Sequence, residues 1–164
     1  MKHIWSPWRM NYIMNHEPSL DCVFCKALEE EDSSKNLIVF RGHSVFLILN
    51  RYPYTSGHVM AVPYAHVPSL EALTADARAE MMEVATAATQ VLQEIYHPQG
   101  FNLGINLGEA AGAGIASHVH FHIVPRWSGD SNFMTSVAGT RVLPEDIEET
   151  YRRIRETWAR LIIK

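Results

Sequence analysis

The sequence of 164 residues lacks any apolar run near the roughly 20 residues that cross a bilayer. Its start also lacks the continuous hydrophobic stretch of a signal peptide. These absences predict a cytoplasmic protein with no membrane partner. Positive charge is not in excess either, since 14 Lys and Arg face 18 Asp and Glu for a formal net charge of -4. That balance gives no basic surface for a nucleic-acid polymer, although small phosphorylated ligands stay possible.

Cysteine is scarce, and the two cysteines lie close together as Cys22 and Cys25 in "CVFC". In a cytoplasmic protein such a pair is more typical of metal or redox chemistry than of a structural disulfide. A tetrahedral zinc site needs four ligands, so this pair would need partners from elsewhere in the chain. The alternative is two reduced thiols, one of them packed in the core with Phe24.

Repeats, linkers and low-complexity segments are absent, which predicts one domain over residues 1–164. A domain of this size buries roughly two-thirds of its unfolded surface and can support a hydrophobic core unaided. Residues 1–35 form an N-terminal segment that carries the cysteine pair, with a short helix predicted after Pro7. Residues 144–163 form a C-terminal helix that Pro144 opens.

Between these ends, apolar periodicity predicts five strands and one long helix. "NLIVF", "SVFLILN" and "HVMAVP" predict an antiparallel meander, followed by a helix from Ser69 to about His97 with Met and Ala in the core. "FNLGINL" and "HVHFHIVP" predict the fourth and fifth strands, the last ended by Pro125. The fold class is therefore α+β, an antiparallel five-stranded sheet with two main helices on one face.

Histidines occupy alternate positions of the fifth predicted strand, as His118, His120 and His122. Side chains at i, i+2 and i+4 of a strand share one face, so the three rings project together. The alternative is an ordinary half-exposed strand of an antiparallel sheet that has no functional site. Solvent-facing strand positions usually carry Thr, Lys, Glu or Ser, so the pattern favours a functional site.

The H-φ-H-φ-H-φ-φ pattern resembles the signature of the histidine-triad family of nucleotide hydrolases and transferases. The similarity extends over nearly the whole chain, including "CVFC", "LNRYPYTSGHVMAVPYAHV" and "GINLGEAAGAGIASHVHFHIVPRWSGDSNFM". "YPYTSGH" and "VPRWSGDSNFM" resemble the branch that cleaves diadenosine polyphosphates with water or phosphate. The resemblance implies a homodimer with one continuous sheet, and as substrate a dinucleoside polyphosphate, a nucleoside phosphoramidate or a nucleoside monophosphate ester.

The resemblance also implies roles for the triad. His120 attacks the α-phosphorus and forms a covalent nucleotidyl-histidine, which a neutral imidazole can form and release. Its second nitrogen needs a fixed acceptor, such as a carbonyl near His118, to define the tautomer. His122 donates to the phosphate oxygens, where charge develops in the transition state.

Further residues match phosphate-binding positions of the family or suit that task chemically. Asn106 offers an amide donor, and the backbone of the loop that contains Gly112 and Gly114 can approach an anion closely. Many family members place Ser or Thr where this chain has Ile115. That contact therefore comes from the backbone, from Ser117, or not at all.

Asn50 matches the family position that binds the ribose hydroxyls, although it could simply turn the chain. Apolar side chains around Phe46 and Leu47 are expected to flank the base. His58 resembles a family histidine that lies behind the triad and steadies it.

The resemblance further implies a structural zinc ion. Its ligands would be Cys22, Cys25, His66 and His118. The remaining histidines, which are His3, His16, His43 and His97, are expected at the surface or in turns.

Two other functions stay open. Histidines at i and i+2 could instead hold a catalytic metal whose bound water is the nucleophile, so that His118 and His120 would both be ligands. The domain could also be a non-catalytic nucleotide-binding module.

Overall fold

The computed structural model describes residues 22–130 and 145–162. The N-terminal helix predicted after Pro7, together with His3 and His16, lies outside these ranges, as does Pro144. The elements are α1 (Val23–Leu28), β1 (Ile38–Arg41), β2 (Val45–Leu49), β3 (Val59–Pro63), α2 (Ala75–Tyr96), β4 (Gly100–Ile105), a 3-10 helix (Glu109–Ala111), β5 (Phe121–Arg126) and α3 (Ile147–Leu161).

The five strands form one antiparallel sheet in the order β1-β2-β3-β5-β4. This confirms the predicted α+β architecture with a meander of three strands. Because β5 lies between β3 and β4, His122 has Met60 on one side and Gly104 on the other. The last histidine of the triad thus lies within the sheet and not at its edge.

The long helix α2 begins at Ala75, later than the predicted Ser69, because the Thr74 hydroxyl caps it by accepting from the Ala77 N–H. It ends at His97, which has a left-handed conformation with φ of 45°. The predicted apolar positions are confirmed as its core face. They are Ala77, Met81, Val84, Ala85, Ala88, Val91 and Leu92.

The closing helix α3 begins after Asp146, whose carboxylate accepts from the Glu149 N–H. Its core face carries Tyr151, Ile154 and Trp158, as the periodicity predicted. The Tyr151 hydroxyl also donates to the Ile38 carbonyl, which ties α3 to β1. Among the described residues, no helix is long and apolar enough to cross a membrane.

Two further local features differ from the prediction. Helix α1 was not predicted, because its six residues are too few to show helical periodicity. The fifth strand was predicted from His118, but β5 begins at Phe121 and continues one residue past Pro125. The Val119 N–H donates to the Val67 carbonyl, beyond the end of β3, and the chain joins the ladder only afterwards.

The histidines nevertheless keep to one side of this segment. Val119, Phe121 and Ile123 are buried in the core cluster that includes the α2 residues. The alternation therefore directs the histidines to the other side of the sheet. The imidazoles thus lie on the face of the sheet opposite α2, where Phe24 of α1 packs against His118 and His120.

Candidate active site

Aromatic rings form a continuous row beside β5. His66 and His118 have ring centroids 4.8 Å apart, and His120 and His122 are likewise 4.8 Å apart. Phe24 joins the two pairs, with its ring 5.4 Å from His118 and 5.1 Å from His120. Helix α1 therefore places an apolar ring between the cysteine end of the row and its middle.

The middle ring, His120, has a defined tautomer. Its Nδ1 lies 2.8 Å from the His118 carbonyl oxygen, so Nδ1 carries the proton and donates it. The predicted carbonyl acceptor is thus in place. Burial lowers the pKa of His120, which keeps the ring neutral and leaves the lone pair on Nε2.

His120 Nε2 is left without a hydrogen-bond partner among the described residues, and the residue as a whole is 4% exposed. His120 is not part of the groove lining described below, whereas the neighbouring His122 is. An unprotonated imidazole nitrogen whose lone pair is not engaged is the form that a nucleophile requires.

A second fixed tautomer follows from His58, which is 1% exposed. The Tyr54 N–H donates to His58 Nδ1 at 3.1 Å, so the proton of a neutral His58 is on Nε2. That N–H donates to His122 Nδ1 at 2.9 Å. The proton of His122 is therefore on Nε2, pointing away from His58, and His58 lies where a supporting histidine was predicted.

His122 is also held neutral. Burial, and then the neighbouring His120, lower the pKa of His122 to about 4. Near neutral pH it is thus a donor through Nε2 without carrying a charge. The site pairs a nucleophilic nitrogen on one ring with a directed N–H on the next.

Asn50 is engaged in local contacts. Its Oδ1 accepts from the Tyr52 N–H at 2.9 Å, which is the turn-forming alternative, and its Nδ2 lies 3.4 Å from His58 Nδ1. The prediction that Phe46 and Leu47 flank a base is wrong, because both are fully buried within β2.

The glycine-rich loop is shaped by its own backbone. Gly112 has φ of 89°, which favours glycine, and its carbonyl accepts from Asn106 Nδ2 at 3.5 Å. Ile115 packs against the core, so its side chain is not a phosphate ligand, whereas Ser117 is exposed, as is Gly114. The N–H groups of Ala111, Gly112 and Ala113 already donate to loop carbonyls, so the candidate anion donors are the later N–H groups of the loop and the Ser117 hydroxyl.

Asn106 and His122 line a common groove of about 290 Å³ on this face. Gly112, Gly114, Ile115 and Ser117 are not part of that lining. The groove runs between β4 and β5, with one wall from the loop before β3. Its lining consists of Tyr54, Thr55, Asn102, Leu103, Gly104, Ile105, Asn106, His122, Val124, Arg126 and Asp130.

The predicted metal ligands come together at the other end of the row. The ligand atoms of Cys22, Cys25, His66 and His118 all lie within 4.8 Å of one another. Individual Sγ to Nδ1 distances are 3.2 Å for Cys25 to His66 and 3.3 Å for Cys22 to His118. A tetrahedral zinc ion would hold S and N ligands roughly 3.5 Å apart, so this group could bind a metal.

The ring of His118 is oriented for such a role. It is fully buried, and its Nε2 lies 2.9 Å from the Pro63 carbonyl oxygen. A hydrogen bond from Nε2 to that carbonyl leaves Nδ1, which faces both cysteines, as the ligating atom. The expectation that His43 and His97 are at the surface is confirmed, since both are exposed.

Sequence reasoning missed several residues of the site. Phe24 was considered only as a partner for thiols, and Tyr54 was not considered individually. Tyr54 could have been found from its position four residues before His58, since a histidine needs an acceptor or donor on its second nitrogen. Arg126 and Asp130 form an ion pair at 2.5 Å at the far end of the groove, and only their i,i+4 spacing hinted at it.

Comparison with known proteins gives one consistent result. The HIT domain family matches residues 31–129. An AP-4-A phosphorylase from Mycobacterium tuberculosis is 39% identical over 98% of this chain and 86% of its own length. A Zn-bound histidine triad family protein from Mycobacterium smegmatis superposes with a TM-score of 0.69 at 30% identity, over 87% of this chain and 96% of its own.

A hypothetical histidine triad nucleotide-binding protein from Sulfolobus tokodaii superposes with a TM-score of 0.68 at 26% identity, over 85% of this chain and 93% of its own. The profile match extends from the loop after α1 to the turn after β5, so it includes the triad and the groove. The chain belongs to the HIT domain family.

Proposed function

We propose that this protein cleaves a dinucleoside polyphosphate, such as diadenosine tetraphosphate, by transferring one nucleotidyl group to His120 and then to an acceptor. The observation that carries the proposal is the pair of fixed neutral tautomers on adjacent rings. His120 offers a lone pair on Nε2, and His122 offers a proton on Nε2. A nucleophile and an oxyanion donor side by side suit in-line attack at phosphorus.

The proposed reaction has two steps. In the first, His120 Nε2 forms a bond to the α-phosphorus, the bond from phosphorus to the bridging oxygen breaks, and the leaving nucleotide is ATP. His122 Nε2–H donates to the oxygens on which negative charge accumulates. In the second, an acceptor oxygen attacks the same phosphorus and His120 leaves as a neutral ring.

We propose inorganic phosphate as the acceptor. The support is the 39% identity to a protein named AP-4-A phosphorylase over 98% of this chain. With phosphate the second product is ADP, whereas with water it is AMP. The products therefore identify the acceptor directly.

The test is product analysis by chromatography after incubation with diadenosine tetraphosphate, with and without phosphate. We expect ATP and ADP with phosphate, and an acid-labile adenylyl adduct on His120 by mass spectrometry when phosphate is withheld. His120→Ala should form no adduct, and His43→Ala, which removes an exposed histidine, is the matched control. Parent-level turnover by His120→Ala would overturn the covalent mechanism, and binding without turnover by the parent would favour a non-catalytic module.

We further propose that Cys22, Cys25, His66 and His118 bind a zinc ion and that its role is structural. Two sulfur and two nitrogen donors make a set typical of closed zinc sites, which have no open position for a catalytic water. Such an ion would cross-link α1 to the segment after β3 and to His118. The rival metal-dependent hydrolase is disfavoured because His120 Nδ1 is bonded to a main-chain carbonyl and His120 is not in the metal cluster.

The proposal includes a homodimer in the cytoplasm, where the cysteines stay reduced. Of the two sheet edges, β1 is partly occupied because the Ile38 carbonyl accepts from α3. The β4 edge carries Leu103, which is 48% exposed, and Leu107 follows it at 44%. An exposed edge strand of this kind is suited to pairing with a second copy, and sedimentation should give twice the chain mass.

A further inference from the structure

The groove between β4 and β5 extends well beyond the triad. On the face that carries the imidazoles, His122 is followed along β5 by Val124 and Arg126. Four residues of strand span about 13 Å, so the groove reaches from His122 to a distant polar end. There Arg126 donates to both carboxylate oxygens of Asp130 and to Asn102 Oδ1.

Gly104 lies at the centre of this groove, directly opposite His122 in the ladder. Its backbone does not require glycine, because its φ is not positive. Packing does not require it either, since an added Cβ would meet no heavy atom within 4 Å. Glycine within a strand costs about 0.5–1 kcal/mol relative to alanine, so it indicates a place where something approaches closely.

A side chain at position 104 would emerge on the same face as His122, because directly paired residues of an antiparallel ladder project together. The two Cβ atoms of such a pair are about 5 Å apart. Any side chain there would therefore fill the passage that leads from His122 to Arg126. The absence of a side chain keeps that passage open.

The two ends of the groove differ in chemistry. The near end offers the Nε2–H of His122 and the amide of Asn106, which suit phosphate oxygens. At the far end the Arg126 charge is matched by Asp130, so that end is polar without being strongly cationic. Donors and acceptors together suit the edge of a nucleobase better than a second run of phosphates.

We propose that this groove binds the leaving half of the substrate and that Gly104 is the residue that admits it. The polyphosphate passes His122 and Gly104, and the second nucleoside lies at the end formed by Asn102, Arg126 and Asp130. This inference rests on the proposed function and deepens it, because it names the residue whose missing side chain lets a large leaving group bind. A donor with a minimal leaving group does not enter the groove.

The test compares Gly104→Val with Gly100→Val. An added Cβ at Gly100 would likewise meet nothing within 4 Å, but Gly100 pairs with Arg126, so its side chain would emerge beside the far end of the groove, about 13 Å from the passage at His122. The rate of adduct formation on His120 is measured in single turnovers with diadenosine tetraphosphate and with adenosine 5′-phosphoramidate, whose leaving group is ammonia. Gly104→Val should lower the rate with the tetraphosphate at least about tenfold and change the other rate less than twofold.

Three results would overturn the inference. One is an equal loss with both donors, which would mean that the substitution disturbs His122 itself. Another is a loss in Gly100→Val that is equal for the two donors and as large as that in Gly104→Val, which would mean a general weakening of the strand. The third is an unchanged rate for Gly104→Val with the tetraphosphate.

Other outcomes are equally decisive. The parent protein could form an adduct with the tetraphosphate alone. In that case the inference is supported if Gly104→Val loses this reaction and its His122 imidazole spectrum is unchanged. A parent that forms no adduct with either donor refutes the proposed function instead. The two failures are thus distinguishable.

Discussion

His58→Phe is the substitution that most directly tests the tautomer assignment. Phenylalanine keeps a ring in the buried position but can neither accept from the Tyr54 N–H nor donate to His122 Nδ1. In the parent, the wrong tautomer of His122 would set two N–H groups against each other at 2.9 Å. We expect the variant to retain the nucleophile and lose the directed donor.

The magnitude follows from the hydrogen bond. Leaving a buried donor without an acceptor costs about 1–3 kcal/mol, so the parent favours the correct tautomer by roughly 5- to 150-fold. Losing an oxyanion donor altogether costs about 10²–10³ in rate. In His58→Phe both tautomers of His122 are populated, so the Nε2 proton is available only part of the time. We therefore expect kcat/KM to fall by about two- to tenfold, less than in His122→Ala.

The assay is a double-mutant cycle in steady-state kinetics, with imidazole ¹⁵N spectra as a second readout. If His58 acts only through His122, the double variant is no slower than His122→Ala. The spectra should show Nε2 protonated in the parent and mixed protonation in His58→Phe. Additive losses in the cycle, or an unchanged His122 spectrum in His58→Phe, would refute the reasoning.

Three further predictions concern His122, the cysteine pair and Trp158. His122 should titrate near pH 4 in imidazole spectra, and a midpoint near 6.5 would contradict the burial argument. Because the pKa of His122 is lower in the folded protein than the unfolded value of 6.5, its contribution to the free energy of unfolding is complete above pH 6.5. That free energy should fall by about 3 kcal/mol as the pH drops to 4. Replacing Cys22 and Cys25 with Ser should abolish zinc binding in elemental analysis and lower Tm by about 6–12 °C, for a loss of about 3 kcal/mol in the free energy of unfolding. Adduct formation in single turnovers at low temperature should persist. Its loss in a variant that is still folded would favour a catalytic metal. Trp158→Ala should cost about 3–5 kcal/mol in denaturant unfolding, but Trp158→Phe far less because the Trp158 Nε1–H is buried and has no partner among residues 22–130 and 145–162; equal losses would show that this N–H is in fact satisfied.

The sequence predicted the order of strands and helices because apolar periodicity reports burial directly. Met81 and Val84 in α2, and Ile154 and Trp158 in α3, lie where the three- and four-residue steps placed them. The boundaries were less predictable, since they depend on caps. Thr74 shortened the long helix through one hydroxyl contact that no periodicity encodes.

The site was predicted in its membership more than in its geometry. Alternation placed three histidines on one side, but it did not reveal that His118 faces the cysteines while His122 faces His58. Those partners come from segments distant in sequence. The error at Phe46 has a similar cause, because every residue of β2 is buried and no alternation marks a ligand-facing side.

The side chain and the main chain of His118 have different roles. Its ring belongs to the cysteine cluster, while its carbonyl sets the proton position on the neighbouring ring two residues later. Every residue type has that carbonyl, so chemistry at the middle position does not depend on the identity of the first. A lineage could lose this cluster by changing its two imidazoles and two thiols, and still inherit an intact nucleophile.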